Sequence, residues 1–352
     1  MSSIPNDWLP KRGLIVKFPD TYTRIHSIPN HIFLAREARK LNDPLSVWLT
    51  DFAVHELTPY WRDNFDLDKW QFHFGDFLSE HRWVIGQEVP WHLIINRRST
   101  HWIDDIIRAK RLHMAFQPIV RWDGHTPTLY GHELLARGKM NTGRSIDPEY
   151  LFETAASNGR LYQLDRYCRT EALRSARFCP PDTKVFINLV PSAIYSIDDF
   201  MRFTYSEVKR LNISPSRIVF EIVENDALLD LNHMKTIVDA CHECGFSLAL
   251  DDVGKGQNTI DRIAQLQPDV VKLDRKYVHH IDQNPYKQSI ARLVADEAYQ
   301  VGAICIAEGI ERVEEGQYLS EHGYPLLQGY LFGKPNAHPL TNEWLGNHDP
   351  LT

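Results

Sequence analysis

Short apolar runs that end on a polar residue recur through the last two-thirds of the chain. Val185-Phe186-Ile187 leads into Asn188, Ile218-Val219-Phe220 into Glu221, and Leu248-Ala249-Leu250 into Asp251-Asp252. Val270-Val271 leads into Lys272, and Ile304-Cys305-Ile306-Ala307 into Glu308. Runs of this length bounded by polar residues read as fully buried strands. Helix-length stretches separate them as far as Gly333, and such alternation predicts parallel strands. Upstream, Thr100 is a candidate N-cap for a helix whose apolar stripe is Ile103, Ile106, Ile107 and Leu112. Strands are then expected over Met114–Val120 and Thr128–Leu135, with Asp123-Gly124 as the turn. This hairpin-like pair implies one strand that runs against the others. Asp147 caps a helix that starts at Pro148 and stops at Gly159, and a longer helix near Gln163–Arg177 precedes the Asn188 strand. The expected class is α/β: a parallel barrel with its chemistry at the C-terminal strand ends.

The first hundred residues follow another pattern. Segments around 31–40, 45–58 and 66–84 read as helical, punctuated by Pro5, Pro10, Pro19, Pro29, Pro44 and Pro59. Seven of the nine tryptophans lie at or before Trp102, and His26, His31, His55, His73, His81 and His92 accompany them. An aromatic, mainly helical core explains this composition better than a sensed ligand does. The expected organisation is a mainly helical N-terminal region over 1–103, in an input or scaffolding role, followed by a barrel over 104–345.

Composition narrows the function. The formal net charge is −7, which argues against a sequence-independent binder of nucleic-acid polymers. No apolar stretch is long enough to span a membrane, and the N-terminus lacks the apolar core of a signal peptide. The five cysteines are odd in number and sit mostly in apolar surroundings, so a reducing cytoplasm is expected. Cys241 and Cys244 form a lone C-x-x-C with no second pair to complete a zinc shell, and read as small residues on a helix before Gly245.

One carboxylate at a strand end is ordinarily a cap or a turn former. Glu133, Glu221, Asp251 and Asp252, with Asn188 between them, are different: several carboxylates on one barrel mouth would repel each other strongly. Hard divalent cations with oxygen ligands, magnesium or manganese, relieve that repulsion. Two such ions can support an in-line phosphoryl displacement by water, and the adjacent aspartates suit a shared bridging ligand. Lys272 could then hold the water or the developing phosphate charge, and Glu308 could complete the second metal or act as base. Arg137, four residues after Glu133, can fork onto a phosphate.

With these residues in place the chain resembles the EAL-type cyclic di-GMP phosphodiesterases over about residues 104–338. The matching segments are FQPIV at 116–120, GHELLAR at 131–137, FINLVP at 186–191, FEIVEN at 220–225, LALDDVGKG at 248–256, PDVVKLD at 268–274, IAEGIE at 306–311 and LLQGYLFGKP at 326–335. The resemblance implies a TIM-like (β/α)8 barrel with one antiparallel strand, hydrolysis of cyclic di-GMP to linear pGpG, and two Mg2+ or Mn2+ ions. It implies Glu133, Asn188, Glu221 and Asp251 as ligands of the first metal, Asp251 bridging, and Asp252 serving the second. Lys272 would contact the catalytic water, and Glu308 would be the acid of the second site. Gln117, Leu135 and Arg137 would contact the dinucleotide, and Gln328 would line the site. Glu224 would hold the loop after the adjacent aspartates. A homodimer through the barrel is expected on the same ground.

The chain departs from the family in places. The signature reads Glu133-Leu134-Leu135 rather than Glu-Ala-Leu. The loop Asp252-Val253-Gly254-Lys255-Gly256-Gln257-Asn258-Thr259 keeps both glycines but loses an aromatic and a hydroxyl-rich end. In the family that loop couples dimerisation to metal binding. A catalytically weak receptor signalling through the N-terminal region is therefore the alternative to an active phosphodiesterase. A metal-dependent barrel that removes a proton beside a carboxylate is the remote third.

Overall fold

The computed structural model describes residues 11–29, 38–41, 43–79, 82–89, 91, 101–122, 124, 126–140, 143–157, 159–223, 231–254 and 259–346. The chain divides into two compact units, Met1–His101 with Thr154–Arg160, and Trp102–Glu153 with Leu161–Thr352.

Among the described residues, the first unit is built on a five-stranded sheet and is not mainly helical. Its strands are β1 (Lys11–Lys17), β2 (Ala38–Lys40), β3 (Ser46–Leu49), β4 (Gln71–Ser79) and β5 (Arg82–Glu88), in the order β2-β3-β1-β4-β5. Every pairing is antiparallel. The expected helix over 66–84 is instead a short 3-10 turn followed by the β4–β5 hairpin. The physical reason is the period: Trp70, Phe72 and Phe74 alternate with Gln71 and His73, which suits a half-buried strand. The expected helix at 45–58 is split between β3 and a helix over Asp51–Asn64, whose N-cap Thr50 accepts the Ala53 N–H. Pro59 lies inside that helix instead of ending it. Of 31–40, only Ala38–Lys40 falls within the described residues, and it is strand. One sheet face packs Leu14, Val16, Val47, Leu49 and Phe72 against Val54, Leu57, Trp61 and Trp70, so two of the tryptophans belong to a core that a sheet, with one helix, builds.

The second unit closes a barrel. Its strands are β6 (Leu112–Arg121), β7 (Thr128–Lys139), β8 (Ser145–Ile146), β9 (Lys184–Asn188), β10 (Ile218–Val223), β11 (Ser247–Val253), β12 (Val270–Leu273), β13 (Ile304–Ala307) and β14 (Leu326–Gln328). The order is β6-β14-β13-β12-β11-β10-β9-β7, with β6 pairing β7 to close the ring and β8 added outside β7. β6 is antiparallel to both neighbours, and the remaining barrel pairings are parallel. The single reversed strand is where the sequence places it. Asp147 accepts the Tyr150 N–H at the start of the helix over Pro148–Ser157, and the longer helix spans Leu161–Ser175. Thr100 lies outside the described residues.

Ile119, Phe186, Val219, Ala249, Val270, Ile306 and Leu326 form one buried cluster, with Tyr130 packed against it. The eight barrel strands thus contribute one residue each to a single interior layer, which makes the barrel a filled core. Cys241 is buried on the helix over Leu231–Glu243, ahead of Gly245, as the apolar reading expects. Among the described residues, no helix is long and apolar enough to cross a membrane.

His132 ties the barrel wall to the C-terminal segment. It is fully buried, and its Nε2 accepts the Leu340 N–H at 3.0 Å. Burial pushes its pKa down to about 4. The folded chain therefore holds a neutral imidazole, whereas the unfolded chain protonates near pH 6.5. Its contribution to stability is fully present above pH 6.5 and is lost as pH falls toward 4, amounting to about 3 kcal/mol. Denaturant titrations from pH 7 to pH 4 should show this loss, and His132→Gln, which keeps an acceptor for Leu340, should have a flatter pH dependence in that window.

Candidate active site

The polar residues that end the apolar runs stand one pleat above the interior layer. Asn188, Glu221, Asp251, Lys272, Glu308 and Gln328 each follow a layer residue by two positions: Phe186, Val219, Ala249, Val270, Ile306 and Leu326. Alternate strand residues share a face. A sequence that directs the apolar residue into the barrel therefore directs its polar successor to the mouth. The reversed strand joins them, since Gln117 of β6 is paired in register with Glu133 of β7.

Lys272 is the hub. Its side chain is 0% exposed. Its Nζ lies 2.5 Å from Glu221 Oε1, 2.5 Å from Glu308 Oε1, 3.3 Å from Asp251 Oδ1 and 3.6 Å from Glu133 Oε2. Burial alone would strip its proton, yet Asp251, Glu133, Glu221 and Glu308 together hold its pKa well above the ordinary lysine range. Glu133 is fixed from both sides. Asn188 Nδ2 donates to its Oε1 at 2.9 Å, and Gln328 Nε2 donates to its Oε2 at 2.7 Å. Burial pushes Glu133 up, but the Lys272 charge and these two donors outweigh it, and the carboxyl sits below its usual range.

The remaining acids are left in excess. Burial, then the charge of Glu133, drives Glu221 well above the carboxylate range. Burial, then the charge of Asp251, does the same to Glu308. Glu221 is wholly buried, and its Oε2 has no hydrogen-bond partner among the described residues. Leaving a buried carboxylate oxygen unmatched costs free energy that a cation would recover.

Asp251 and Asp252 both reach the mouth because the strand breaks its own period. The β11–β12 register shifts between Leu250 and Val253, and Asp252 has a left-handed backbone with φ of 59°. A bulge re-aims side chains that would otherwise point to opposite faces. The Asp252 N–H donates to Asp251 Oδ1 at 2.8 Å. Gly254 follows at φ of 106°, where a Cβ would lie 2.7 Å from the Tyr277 ring, so the turn after the aspartates requires glycine. Oxygens of Asp251, Asp252 and Glu308 lie within 4.8 Å of one another. Among the described residues this is the His/Cys/Asp/Glu grouping compact enough for a metal ion, and neither Cys241 nor Cys244 belongs to it.

The structure thus gathers Glu133, Asn188, Glu221, Asp251, Asp252, Lys272, Glu308 and Gln328. Leu135 and Arg137 continue the Glu133 face of β7, both half-buried, and Arg137 Nη1 donates to Ala136 O at 2.9 Å. Glu224 and residues 255–258 lie outside the described residues. Sequence reasoning misses two features. Gln328, expected to line the site, braces Glu133 directly. Lys272, expected at a water or a phosphate, is also the counter-charge of four acids. Its position two residues after buried Val270 on a strand is the signal that could have found this.

Residues 100–335 match the EAL domain family. PdeD of Escherichia coli K12, described as a probable cyclic di-GMP phosphodiesterase, is 28% identical over 225 residues, covering 62% of this chain and 41% of that protein. This chain therefore spans less than half of that relative. A standalone EAL protein from Vibrio cholerae O395, solved with cyclic di-GMP bound, superposes with a TM-score of 0.58 at 30% identity, covering 65% of this chain and 94% of that one. The manganese and cyclic di-GMP complex of Klebsiella pneumoniae BlrP1 gives 0.58 at 26% identity, covering 64% and 56%. The order of strands, the reversed β6 and the acids around one buried lysine agree with this match over two-thirds of the chain: it belongs to the EAL domain family.

Proposed function

We propose that the barrel is a metal-dependent phosphodiesterase that hydrolyses cyclic di-GMP to linear pGpG. The observation that carries this reading is a mouth holding five carboxylates, Glu133, Glu221, Asp251, Asp252 and Glu308, against one ammonium. Two divalent cations would match that excess, and the unmatched Oε2 of Glu221 fits a metal ligand. Glu133, Asn188, Glu221 and Asp251 would hold one ion, and Asp251, Asp252 and Glu308 the other. Mg2+ or Mn2+ bound there would supply Lewis-acid activation of water and charge stabilisation at phosphorus. The relatives named for cyclic di-GMP, and the manganese complex of the Klebsiella protein, support this choice of substrate and metal.

The chain's own groups do the rest. Lys272 would donate a hydrogen bond to the attacking water, and Glu308, 2.5 Å from that ammonium and ionised once the cations are bound, would accept the proton. Asn188 and Gln328 keep Glu133 oriented, so its ligand geometry is set before substrate arrives. Gln117, Leu135 and Arg137, on the paired strands β6 and β7, would contact the dinucleotide, with Arg137 on a phosphate. Residues 1–103 would serve as a regulatory input region, and the barrel would pair with a second copy. The altered sequence at 253–259 motivates the second reading, a receptor that binds the dinucleotide without turnover.

Incubation with cyclic di-GMP and Mg2+ or Mn2+, followed by chromatography, should yield pGpG. Glu133→Ala should reduce the rate at least a hundredfold by removing a residue that two amides and Lys272 converge on. Tight binding without product would select the receptor, and neither binding nor product would remove both readings.

Lys272→Met should abolish turnover and, without added metal, destabilise the fold by about 3–5 kcal/mol at neutral pH, because it leaves buried acids without their counter-charge. Mn2+ at a hundredfold excess over its Kd should stabilise the wild type by about 2.7 kcal/mol, and Asp251→Asn with Asp252→Asn should remove that gain. Denaturant unfolding with and without Mn2+ checks both.

A further inference from the structure

A second acid is wholly buried outside the mouth. Glu315 is 0% exposed and lies on the helix over Val313–Glu321, which follows the Glu308 segment. Its Oε1 accepts the His280 N–H at 2.8 Å. Its Oε2 accepts the Glu311 N–H at 3.0 Å and the Arg312 N–H at 3.1 Å. The two oxygens therefore serve different segments. His280 belongs to the stretch that leaves β12 after Lys272, and Glu311 and Arg312 to the stretch that leaves β13 after Glu308.

Neither stretch is held by the sheet alone. The β12–β13 ladder ends at Leu273 and Ala307, one residue past Lys272 and one short of Glu308. Beyond it, Glu308 N–H donates to Leu273 O at 3.1 Å, and the chain then turns through Gly309 at φ of 70°. A Cβ on Gly309 would lie 2.3 Å from Arg275 Cγ, so the two stretches cross in close contact. His280 is held at φ of 56°, an unfavourable backbone for a non-glycine residue. The bond to Glu315 helps to keep it there. Arg312 adds a parallel tie, its Nη1 lying 2.8 Å from His280 Nδ1 and 3.2 Å from Asp282 Oδ1. Arg275 reaches Glu311 Oε1 at 2.6 Å.

We propose that Glu315 is a positioning residue for the Lys272–Glu308 pair: by bonding backbone N–H groups of both stretches, it sets the separation of the two strand ends that carry those side chains. This rests on the phosphodiesterase reading above. A carboxylate is the side chain suited to the task, because both of its oxygens accept. Glutamine has the same shape but turns a donor toward one of the two stretches. Misplacing reacting groups by about 1 Å can cost a hundredfold in rate, whereas the affinity for a substrate held elsewhere on the mouth is spared.

The test compares wild type, Glu315→Gln and Arg312→Gln as full-length chains, using kcat and KM for cyclic di-GMP, Mn2+ titration by electron paramagnetic resonance, and thermal unfolding. Glu315→Gln should lower kcat roughly tenfold to a hundredfold with KM changed less than about twofold, and should weaken Mn2+ binding at the Asp251–Asp252–Glu308 group. Arg312→Gln, which removes the ties to His280, Asp282 and Glu314 but keeps the Glu315 carboxylate, should move kcat in the same direction by less, and it decides the question if Glu315→Gln does not fold. A Glu315→Gln protein of lower thermal stability but unchanged kcat and Mn2+ affinity would overturn the proposal while leaving the reaction intact, as would an unchanged Arg312→Gln if the first variant is unfolded. A wild type with no turnover would instead remove the reaction, and this role with it.

Discussion

An ammonium group buried to zero exposure among four carboxylates is the constraint around which the barrel is organised. Lys272 can stay charged inside the protein only if acids surround it. The acids in turn can gather only if something positive stands between them. Each requirement satisfies the other in part, and the acids exceed the ammonium. The surplus is where the chemistry lies: Glu221 and Glu308 are driven toward their neutral forms in the protein alone. A site with this imbalance is built to take up cations, and the protein forgoes an apolar plug at the mouth to keep it.

The apolar layer directly beneath makes that arrangement possible. Ile119, Phe186, Val219, Ala249, Val270, Ile306 and Leu326 fill the barrel and bar water from below. The strand pleat then raises the next inward residue to the mouth. Stability and chemistry are thus written on alternate positions of the same strands. The bulge at Asp251–Asp252 is a departure from this rule that doubles the number of acids a single strand can deliver, and β7 is another, since Glu133 follows Tyr130 by three positions across a register shift.

Much of this arrangement is legible in the amino-acid sequence. The apolar runs mark the strands, and their terminal residues mark the site, because burial and period two are local properties. The reversed strand is legible from the hairpin signal at Asp123-Gly124. The N-terminal unit is not, since aromatic residues at Trp70, Phe72 and Phe74 suit a buried helix as well as a strand until their alternation is weighed against length. The bracing of Glu133 by Gln328 joins residues 195 positions apart, and the link from Glu315 to His280 spans 35. Neither follows from a spacing rule, because each depends on which strands become neighbours.

The reversed strand has a kinetic consequence. β6 pairs with β7 a few residues later but also with β14 at Leu326–Gln328, so the ring cannot close until residues 326–328 have been made. Pairings so distant in sequence are slow to form, because a long loop must be ordered first. Gln328, the residue that secures Glu133, sits on that last strand. During synthesis the acids would collect around Lys272 before Glu133 is locked, and the closing of the ring and the completion of the site would be one event. A ribosome-bound chain that stops short of residue 328 would carry most of the chemistry's residues in an open sheet, with no reaction yet to run.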